Sequence, residues 1–597
     1  MKPSPDGRIS PTTDARAKPA ADLPRKPGPQ SPFNHEQTTM SYDFDLGSWS
    51  RKITTESDAA QLWFDRGLNW TYGFNHEEAV ACFRRAAEAD PECAMVWWGI
   101  AYANGPHYNR AWIRYSEAEI AQILPVCHEA VTKAVSLVGD GSLAGDGSPA
   151  EQALIQALAK RYRNGEERDT EVLDAWHWDY ADAMRDTSRA FGDDADIAAL
   201  YFDAAMNCTP RQLWNLQTGR PNPRGHTSEV MPVMEAWMER IERTGRTGPI
   251  HPGICHLYIH MLEMSPMPER GLKAADLLRG LLPDAGHLEH MSAHIYVLCG
   301  DWAQSVVQSE RAIYADDRYL AYAGDRNFYT TMRCHDLHLY MYTAMFLGQL
   351  GKATLAADRI RAMATPELIA RSAPFMASIL DGYSAMTTHV LVRFGRWHDL
   401  IASPRPREES LRPIETAMHA YGQGVAHAAL GHIEEAEAAR DVFEEAAAAI
   451  PENAIFLSNT VRDMLRIGEA MLDGELEYRK GNYDRAFTSL RLAVSRDDAL
   501  NYTEPWAWMH PPRHALGALL AEQGMFEEAE AVFRADLGYD GSLPRCCQHP
   551  DNVWALQGLV ECVEHAGDAN ELRLLRQRLE FAKARADIPI ETSCFCR

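Results

Sequence analysis

The fold of this chain is decided by residues 62–91, which read LWFDRGLNWTYGFNHEEAVACFRRAAEADP. The small residues Gly67 and Ala79 are placed so that two antiparallel helices can approach each other closely. Phe83 fills the space behind them, and Pro91 ends the second helix because proline cannot continue a helix. The stretch therefore predicts one helix-turn-helix unit.

The same step of twelve residues from a glycine to an alanine recurs in the C-terminal half of the chain. It is found at Gly424 and Ala436, Gly474 and Ala486, and Gly517 and Ala529. Units that repeat in one phase are typical of a tetratricopeptide-type α-solenoid, in which each helix pair stacks on the next. The sequence thus predicts an all-α superhelix of paired antiparallel helices, enclosing a concave cavity, over residues 46–590.

Composition narrows the class of protein. The chain has 597 residues, of which 46% are hydrophobic and 24% charged, and this balance is typical of a soluble protein. A net charge of −25 argues against a nucleic-acid or anionic-membrane partner, because both bind basic surfaces. No apolar run approaches the ~20 residues that span a bilayer, and no signal peptide is evident. We expect a cytoplasmic protein.

The remaining segments are predicted to be irregular. Residues 1–45 are rich in Pro, Lys and Arg, so we expect a disordered tail. Residues 139–149 read as a flexible loop, residues 207–225 as a long connection that is a candidate lid, and residues 591–597 as a C-terminal tail. Twelve cysteines in this length are too few for a disulfide framework, and we expect free thiols, including surface thiols at the Cys594/Cys596 pair.

Histidines are concentrated in one part of the chain, and their spacing follows the helix period. Eight of the 23 histidines lie within 88 residues: His251, His256, His260, His287, His290, His294, His335 and His338. Residues three, four and seven apart share one face of a helix. HPGICHLYIHMLEMSP (251–266) and AGHLEHMSAHIYVLCGDW (285–302) thus each carry one polar stripe, and CHDLH (334–338) adds a third.

Neutral imidazole beside carboxylate is the ligand chemistry of zinc, iron and copper. All three stripes fall on the first helix of a predicted pair, and these helices line the inner wall of a solenoid. We therefore predict that the imidazoles converge on one divalent transition metal, with iron, copper or zinc as the ion. The predicted ligands are His256, His260, Glu263, His290, His294 and His338. The predicted catalytic residues around them are His76, Glu77, His287, His335 and Arg513.

Two further carboxylates, Glu289 and Asp336, are candidates to orient the imidazoles, and a helix-start turn explains His251. His76 also has a structural interpretation, as a turn residue bonded to the backbone. Arg513 likewise has one, as a partner in an ion pair.

Several blocks of this sequence resemble those of a widespread family of large tetratricopeptide-repeat proteins found in bacteria and filamentous fungi. The blocks are FNHEEA (74–79), AMVWWGIAYANGPHYN (94–109), the three histidine segments, and EPWAWMHPPRHALGALL (504–520). The resemblance covers residues 55–590 and implies the solenoid fold.

These observations favour a metal-dependent enzyme that acts on a small organic molecule, with oxidation favoured over hydrolysis or isomerisation. Two alternatives stay open. One is a non-catalytic scaffold that binds protein partners through the solenoid surface, and the other is a metal-free enzyme that uses histidines as acid–base groups. The sequence contains no GxSxG word, no Rossmann glycine pattern and no P-loop, so those chemistries are disfavoured.

Overall fold

The computed structural model describes residues 42–138 and 147–597, and nearly all regular structure in these ranges is α-helix. The helices are α1 (Asp58–Tyr72), α2 (His76–Ala89), α3 (Ala94–Asn104), α4 (Glu117–Leu137), α5 (Pro149–Ala159), α6 (Thr170–Ala190), α7 (Ala195–Met206), α8 (Thr227–Thr244), α9 (Pro252–Leu262), α10 (Leu272–Leu278), α11 (Gly286–Leu298), α12 (Trp302–Ala323), α13 (Tyr329–Phe346), α14 (Leu350–Met363), α15 (Pro366–Arg371), α16 (Pro374–Met386), α17 (Thr388–Arg393), α18 (Trp397–Ala402), α19 (Pro413–Ala429), α20 (Ile433–Ala449), α21 (Val461–Arg479), α22 (Tyr483–Asp498), α23 (Pro512–Glu522), α24 (Phe526–Asp536), α25 (Val553–Ala566) and α26 (Ala569–Lys583).

The other regular elements in the described ranges are short. Two antiparallel hairpins are formed by β1 (Trp214–Asn215) with β2 (Arg220–Pro221) and by β3 (Ile455–Phe456) with β4 (Asn459–Thr460). Single 3-10 turns lie at Trp112–Arg114, Gly245–Thr247, Pro268–Gly271, Glu409–Leu411 and Arg545–Cys547.

Consecutive helices pack as antiparallel hairpins, and each hairpin packs on the next. The strongest pairings join α1 with α2, α3 with α4, α11 with α12, α13 with α14, α19 with α20, and α21 with α22. The predicted tetratricopeptide-like solenoid is therefore confirmed. Its pairing of α9 with α10, α11 with α12 and α13 with α14 also confirms that the three histidine segments open successive helix pairs.

Glycines set the distance between stacked hairpins, as residues 62–91 predict. A Cβ atom on Gly67 would lie 2.7 Å from the ring of Phe83, and one on Gly99 would lie 2.6 Å from the same ring. Phe83 is thus a wedge between the first helices of two adjacent hairpins. The same construction recurs near the C-terminus, where Phe533 fits against Gly517 and Gly558. The repeat therefore rests on an aromatic ring that only a glycine face can accommodate.

Both ends of the superhelix pack against its middle. In the N-terminal part, the backbone carbonyl of Tyr72 in α1 lies 2.7 Å from His256 Nδ1 in α9. In the C-terminal part, Trp554 Nε1 donates to the carbonyl of Met345 at 2.7 Å. The inner wall formed by α9, α11 and α13 is therefore covered from both sides, and its side chains are buried.

The predicted irregular segments have different outcomes. The flexible loop and nearly all of the disordered tail lie outside the described residues, although the backbone N–H of Asp45 donates to Asp284 Oδ2 at 2.6 Å. The C-terminal tail packs on the body of the protein, and Cys594 and Cys596 are buried and joined by a disulfide. The prediction of free surface thiols there is wrong, because Phe595 packs on the ring of Trp554 and carries both cysteines inward.

None of the helices within the described ranges combines the length and the apolar character that crossing a bilayer requires.

Replacement of Gly67 by alanine tests the wedge. The new methyl group overlaps Phe83, so the free energy of unfolding is expected to fall by about 1–3 kcal/mol. Gly192→Ala is the matched control, because its Cβ would meet nothing closer than the carbonyl of Ser188 at 3.8 Å. Chemical denaturation followed by circular dichroism measures both variants. Equal stability of the two variants would contradict the proposed role of Phe83.

Candidate metal centre

Three buried helices carry the histidines side by side, since α11 packs against both α9 and α13. His251 caps the start of α9, where its Nδ1 accepts a hydrogen bond from the backbone N–H of Ile254 at 3.1 Å. This agrees with the helix-start interpretation of His251. Pro252 occupies the first helical position, where its missing N–H costs nothing.

The Nε2 atom of His290 lies close to two other imidazole nitrogens at the centre of this wall. His290 Nε2 lies 2.7 Å from His294 Nε2 and 3.0 Å from His335 Nε2. Two of these residues come from α11 and the third from α13. Their side chains are almost fully buried, with 6% of His335 exposed. We call this group the first triad.

Glu263, the residue that follows α9, orients imidazoles on two helices. His260 Nδ1 lies 2.9 Å from its Oε1, and His294 Nδ1 lies 2.6 Å from its Oε2. A carboxylate oxygen only accepts hydrogen bonds, so each Nδ1 carries the proton. The Nε2 atoms of both neutral rings therefore present lone pairs. This is the arrangement by which a carboxylate holds metal-ligating histidines in position.

A second group of imidazoles lies next to the first triad. His256, His260 and His287 each offer a ring nitrogen within 4.8 Å of the others. The Nδ1 of His256 donates to the carbonyl of Tyr72, and its Nε2 has no partner among the described residues. The Nε2 of His260 and both nitrogens of His287 are also buried without a hydrogen-bond partner there. We call this group the second triad.

Burial keeps these rings neutral. It lowers the pKa of His287 to about 3, with a further contribution from Arg211, and it lowers the pKa of His294 to about 4 against the opposing effect of Glu263. The pKa of His290 is lowered well below its ordinary value by burial and by His335 and His294. Neutral imidazole is the form that ligates a metal, so burial prepares the site for one.

Asp336 lies on the opposite side of His290, with Oδ1 3.5 Å from His290 Nδ1. Burial raises the pKa of Asp336 to about 8. Asp336 belongs to a group of potential ligands with His287, His290 and His335. It lies beside His290 without a hydrogen bond to it, whereas Glu289 lies elsewhere and accepts a hydrogen bond from the backbone N–H of Gly280 at 2.6 Å.

A cavity of about 360 Å³ borders the first triad. His335 lines it, together with Arg211 and Glu504, which form an ion pair. Arg211 also donates to Asn109 Oδ1 at 2.6 Å, and its Nη1 is 3.8 Å from Glu263 Oε1. The cavity therefore connects to the histidine centre through charged groups.

Backbone strain is concentrated around the same site. Phe74, Arg211 and Leu457 have φ values of 54°, 62° and 55°, a region that residues with side chains rarely adopt. The Phe74 ring stacks near His260 and His287, while Arg211 and Leu457 line the cavity. Strain of this kind persists where the surrounding structure fixes the backbone, which is typical of functional sites.

The structure separates the predicted site residues into those that meet and those that do not. His256, His260, Glu263, His287, His290, His294 and His335 come together, in three overlapping groups of potential ligands. These groups are His256, His260 and His287; His287, His290, His335 and Asp336; and His260, Glu263, His294 and Glu504. His338 lies apart, with its Nε2 3.0 Å from Met509 Sδ. A spacing of three residues puts His338 near the same helix face as His335, but His338 faces the C-terminal repeats. It belongs to no group of potential metal ligands in the described chain.

Three predicted catalytic residues also lie outside both triads. His76 Nδ1 bonds to the carbonyl of Ala103 at 3.0 Å, as its structural interpretation as a turn residue requires. Glu77 accepts from the backbone N–H of Phe328 at 3.0 Å. Two nitrogens of the Arg513 guanidinium donate hydrogen bonds to the carboxylate of Asp498, at 2.6 and 2.7 Å. Arg513 is therefore a partner in an ion pair, as its structural interpretation requires.

Sequence reasoning did not select Arg211. The signal was its position in residues 207–225, the long connection that was predicted as a candidate lid. Residues 207–212 of this connection line the cavity. Glu504 likewise lies in an irregular segment, and no periodicity links it to the histidines.

No family model matches the chain, and no curated protein sequence matches it. Among solved structures, the crystal structure of Ypp1 is 8% identical with a TM-score of 0.41 and covers 89% of this chain and 77% of that one. The crystal structure of the APC/C hetero-tetramer Cut9–Hcn1 is 11% identical with a TM-score of 0.26, covering 90% and 95%. The structure of Naa15/Naa10 bound to HypK-THB is 12% identical with a TM-score of 0.19, covering 88% and 70%. At these values no function is transferred to this chain.

A histidine outside both triads tests the link between burial and charge. Burial lowers the pKa of His389 to about 3, against about 6.5 in an unfolded chain. Its contribution to stability is therefore complete above pH 6.5 and is lost as the pH falls towards 3. As the pH falls through this interval, the free energy of unfolding of His389→Gln should rise relative to that of the wild type, by up to ~1.4 kcal/mol per pH unit. Urea denaturation at several pH values measures the difference, and a constant difference would contradict a neutral buried ring.

Proposed function

We propose that this protein is a metal-dependent enzyme that acts on a small organic molecule bound in the cavity beside the first triad. In this proposal His290, His294 and His335 hold the ion. Glu263 orients His294 through its hydrogen bond of 2.6 Å, and Asp336 lies behind His290, 3.5 Å from its Nδ1.

The two short contacts of His290 Nε2 support this proposal most strongly. Neighbouring ligands of a tetrahedral ion with bonds of ~2.0–2.1 Å lie roughly 3.3 Å apart, and the distances here are somewhat shorter, at 2.7 and 3.0 Å. Because Glu263 accepts a hydrogen bond from the Nδ1–H of His294, the facing Nε2 of His294 is a lone pair. Nitrogens at these distances need a proton or a cation between them. One proton on His290 Nε2 serves only one of the two short contacts, whereas a cation can serve both.

The cavity favours a catalytic role for the proposed metal over a structural one. A structural metal site is closed on all sides, whereas a catalytic site keeps one side open for water or substrate. His335 provides that open side because it both belongs to the first triad and lines the cavity. The ion pair of Arg211 with Glu504 gives the cavity wall polar groups that can orient a bound molecule.

Nitrogen-rich ligand sets suit copper, iron and zinc. Oxidation of the bound molecule by dioxygen at copper or iron is the reaction class that we favour, and hydrolysis or isomerisation at zinc is the second. The remaining alternatives are a metal-free enzyme using the neutral imidazoles as acid–base groups and a scaffold for protein partners. We also propose that the chain belongs to the tetratricopeptide-repeat family that its sequence blocks resemble.

Metal content tests the proposal directly. The full-length protein should retain a transition metal through desalting, detected by inductively coupled plasma mass spectrometry. His290→Gln removes the nitrogen shared by both short contacts, and it should weaken binding by roughly 100-fold or more while circular dichroism stays unchanged. His389→Gln is the control, because His389 is equally buried but belongs to neither triad. A protein that neither holds nor takes up metal would leave the acid–base and scaffold alternatives.

Replacement of Glu263 by glutamine tests how the ligands are positioned. Glutamine offers one acceptor and one donor, so one of the two imidazoles loses its acceptor and turns its Nδ1 lone pair towards the amide. Metal affinity is expected to fall by about 10–100-fold. Glu289→Gln is the matched control: this buried carboxylate lies on α11 itself but bonds to Gly280, away from the triads. Equal affinities in competition titrations with a chelator would contradict the orienting role of Glu263.

A further inference from the structure

We infer that the second triad, His256, His260 and His287, binds a second metal ion, so that the histidine centre holds two ions and not one. This inference deepens the proposed function and rests on it. The two triads share no residue and together contain six imidazoles. The groups of potential ligands overlap where the triads meet, because His287 also groups with His290, His335 and Asp336, and His260 also groups with Glu263, His294 and Glu504.

Hydrogen bonds fix the free nitrogen on two members of the second triad. The carbonyl of Tyr72 only accepts, so the Nδ1 of His256 carries the proton and its Nε2 is a lone pair. Glu263 does the same for His260. Both Nε2 atoms are completely buried, and neither has a hydrogen-bond partner among the described residues.

His287 completes the set with a ring that has no partner on either nitrogen among the described residues. The nearest carboxylate oxygen, Asp336 Oδ1, is 3.9 Å from its Nδ1, which is too far for a hydrogen bond. A buried polar atom without a partner costs about 1–3 kcal/mol, and native proteins avoid such groups. Several of them within 4.8 Å of one another in the buried interior indicate a ligand that accepts lone pairs, which is the chemistry of a cation.

The dimensions of the second triad fit one ion after a small closure of the rings. Its nitrogens lie within 4.8 Å of one another, whereas ligands of a tetrahedral ion with bonds of ~2.0–2.1 Å are roughly 3.3 Å apart. Phe74 forms one wall, with its ring centroid 4.4 Å from that of His256 and 5.5 Å from that of His287. This wall excludes water and holds the rings near one another.

Glu263 links the two triads. One of its oxygens orients His260 in the second triad, and the other orients His294 in the first. The ring centroids of His260 and His294 are 5.7 Å apart, so the two ions would be near neighbours. A pair of adjacent ions with imidazole ligands can share a substrate or a small bridging molecule, which one ion cannot do.

The stoichiometry of binding tests this inference. The full-length protein is stripped with a chelator and titrated with Zn²⁺ and, separately, with Cu²⁺, and the ions that survive desalting are counted per chain. The wild type is expected to retain two ions. His256→Asn should retain one, because asparagine can still donate to the Tyr72 carbonyl but lacks the second nitrogen. His335→Gln should also retain one, and His389→Gln should retain two.

Each other result decides against a specific claim. A wild type that saturates at one ion overturns the second site and leaves the proposed function standing, with water in the second triad. Two ions in His256→Asn would show that His256 is not a ligand. Loss of both ions from a His256→Asn protein with native circular dichroism would show that the triads are not separate sites. A wild type that binds no ion overturns the proposed function as well.

Discussion

The hydrogen bonds of Glu263 are the constraint on which the centre depends. One carboxylate accepts from an imidazole on its own helix and from another on α11, at 2.9 and 2.6 Å. Because a carboxylate oxygen only accepts hydrogen bonds, it fixes both rings in the same tautomer. Both Nε2 lone pairs then point into the protein. Without this carboxylate, either ring could place its proton on Nε2 and the wall would lose its convergent acceptors.

The solenoid architecture allows this group of polar side chains to lie in the interior of the protein. Stacked hairpins bring α9, α11 and α13 together, so that residues 263 and 294 meet although they are distant in sequence. The terminal repeats then cover this wall, with Tyr72 contributing a carbonyl acceptor for His256. Burial removes competing water and keeps the imidazoles neutral, and the same burial makes every unsatisfied nitrogen costly. The fold thus brings together buried side chains that could hold a metal ion.

The sequence predicted the helices and the faces that carry the histidines, because the periods of helix and repeat are local properties of the chain. It could not divide the histidines between two triads, since that division depends on the register and tilt of neighbouring helices. His338 shows the limit. Its spacing from His335 places both near one helix face, but the C-terminal repeats provide Met509 as its neighbour.

Arg211 shows a second limit of sequence reasoning, because irregular segments have no period from which a position can be calculated. Its left-handed backbone conformation and its ion pair with Glu504 depend on two loops that only the complete fold brings together.

The burial of the histidine centre also separates the two main classes of function. A solenoid that binds proteins recognises them through side chains on an accessible groove. Here His256, His260 and His290 are fully buried. The cavity that His335 and Arg211 line has a volume of about 360 Å³, a size that suits a small molecule. A protein could still bind elsewhere on the surface, but that would not explain why the unpaired imidazoles are inside.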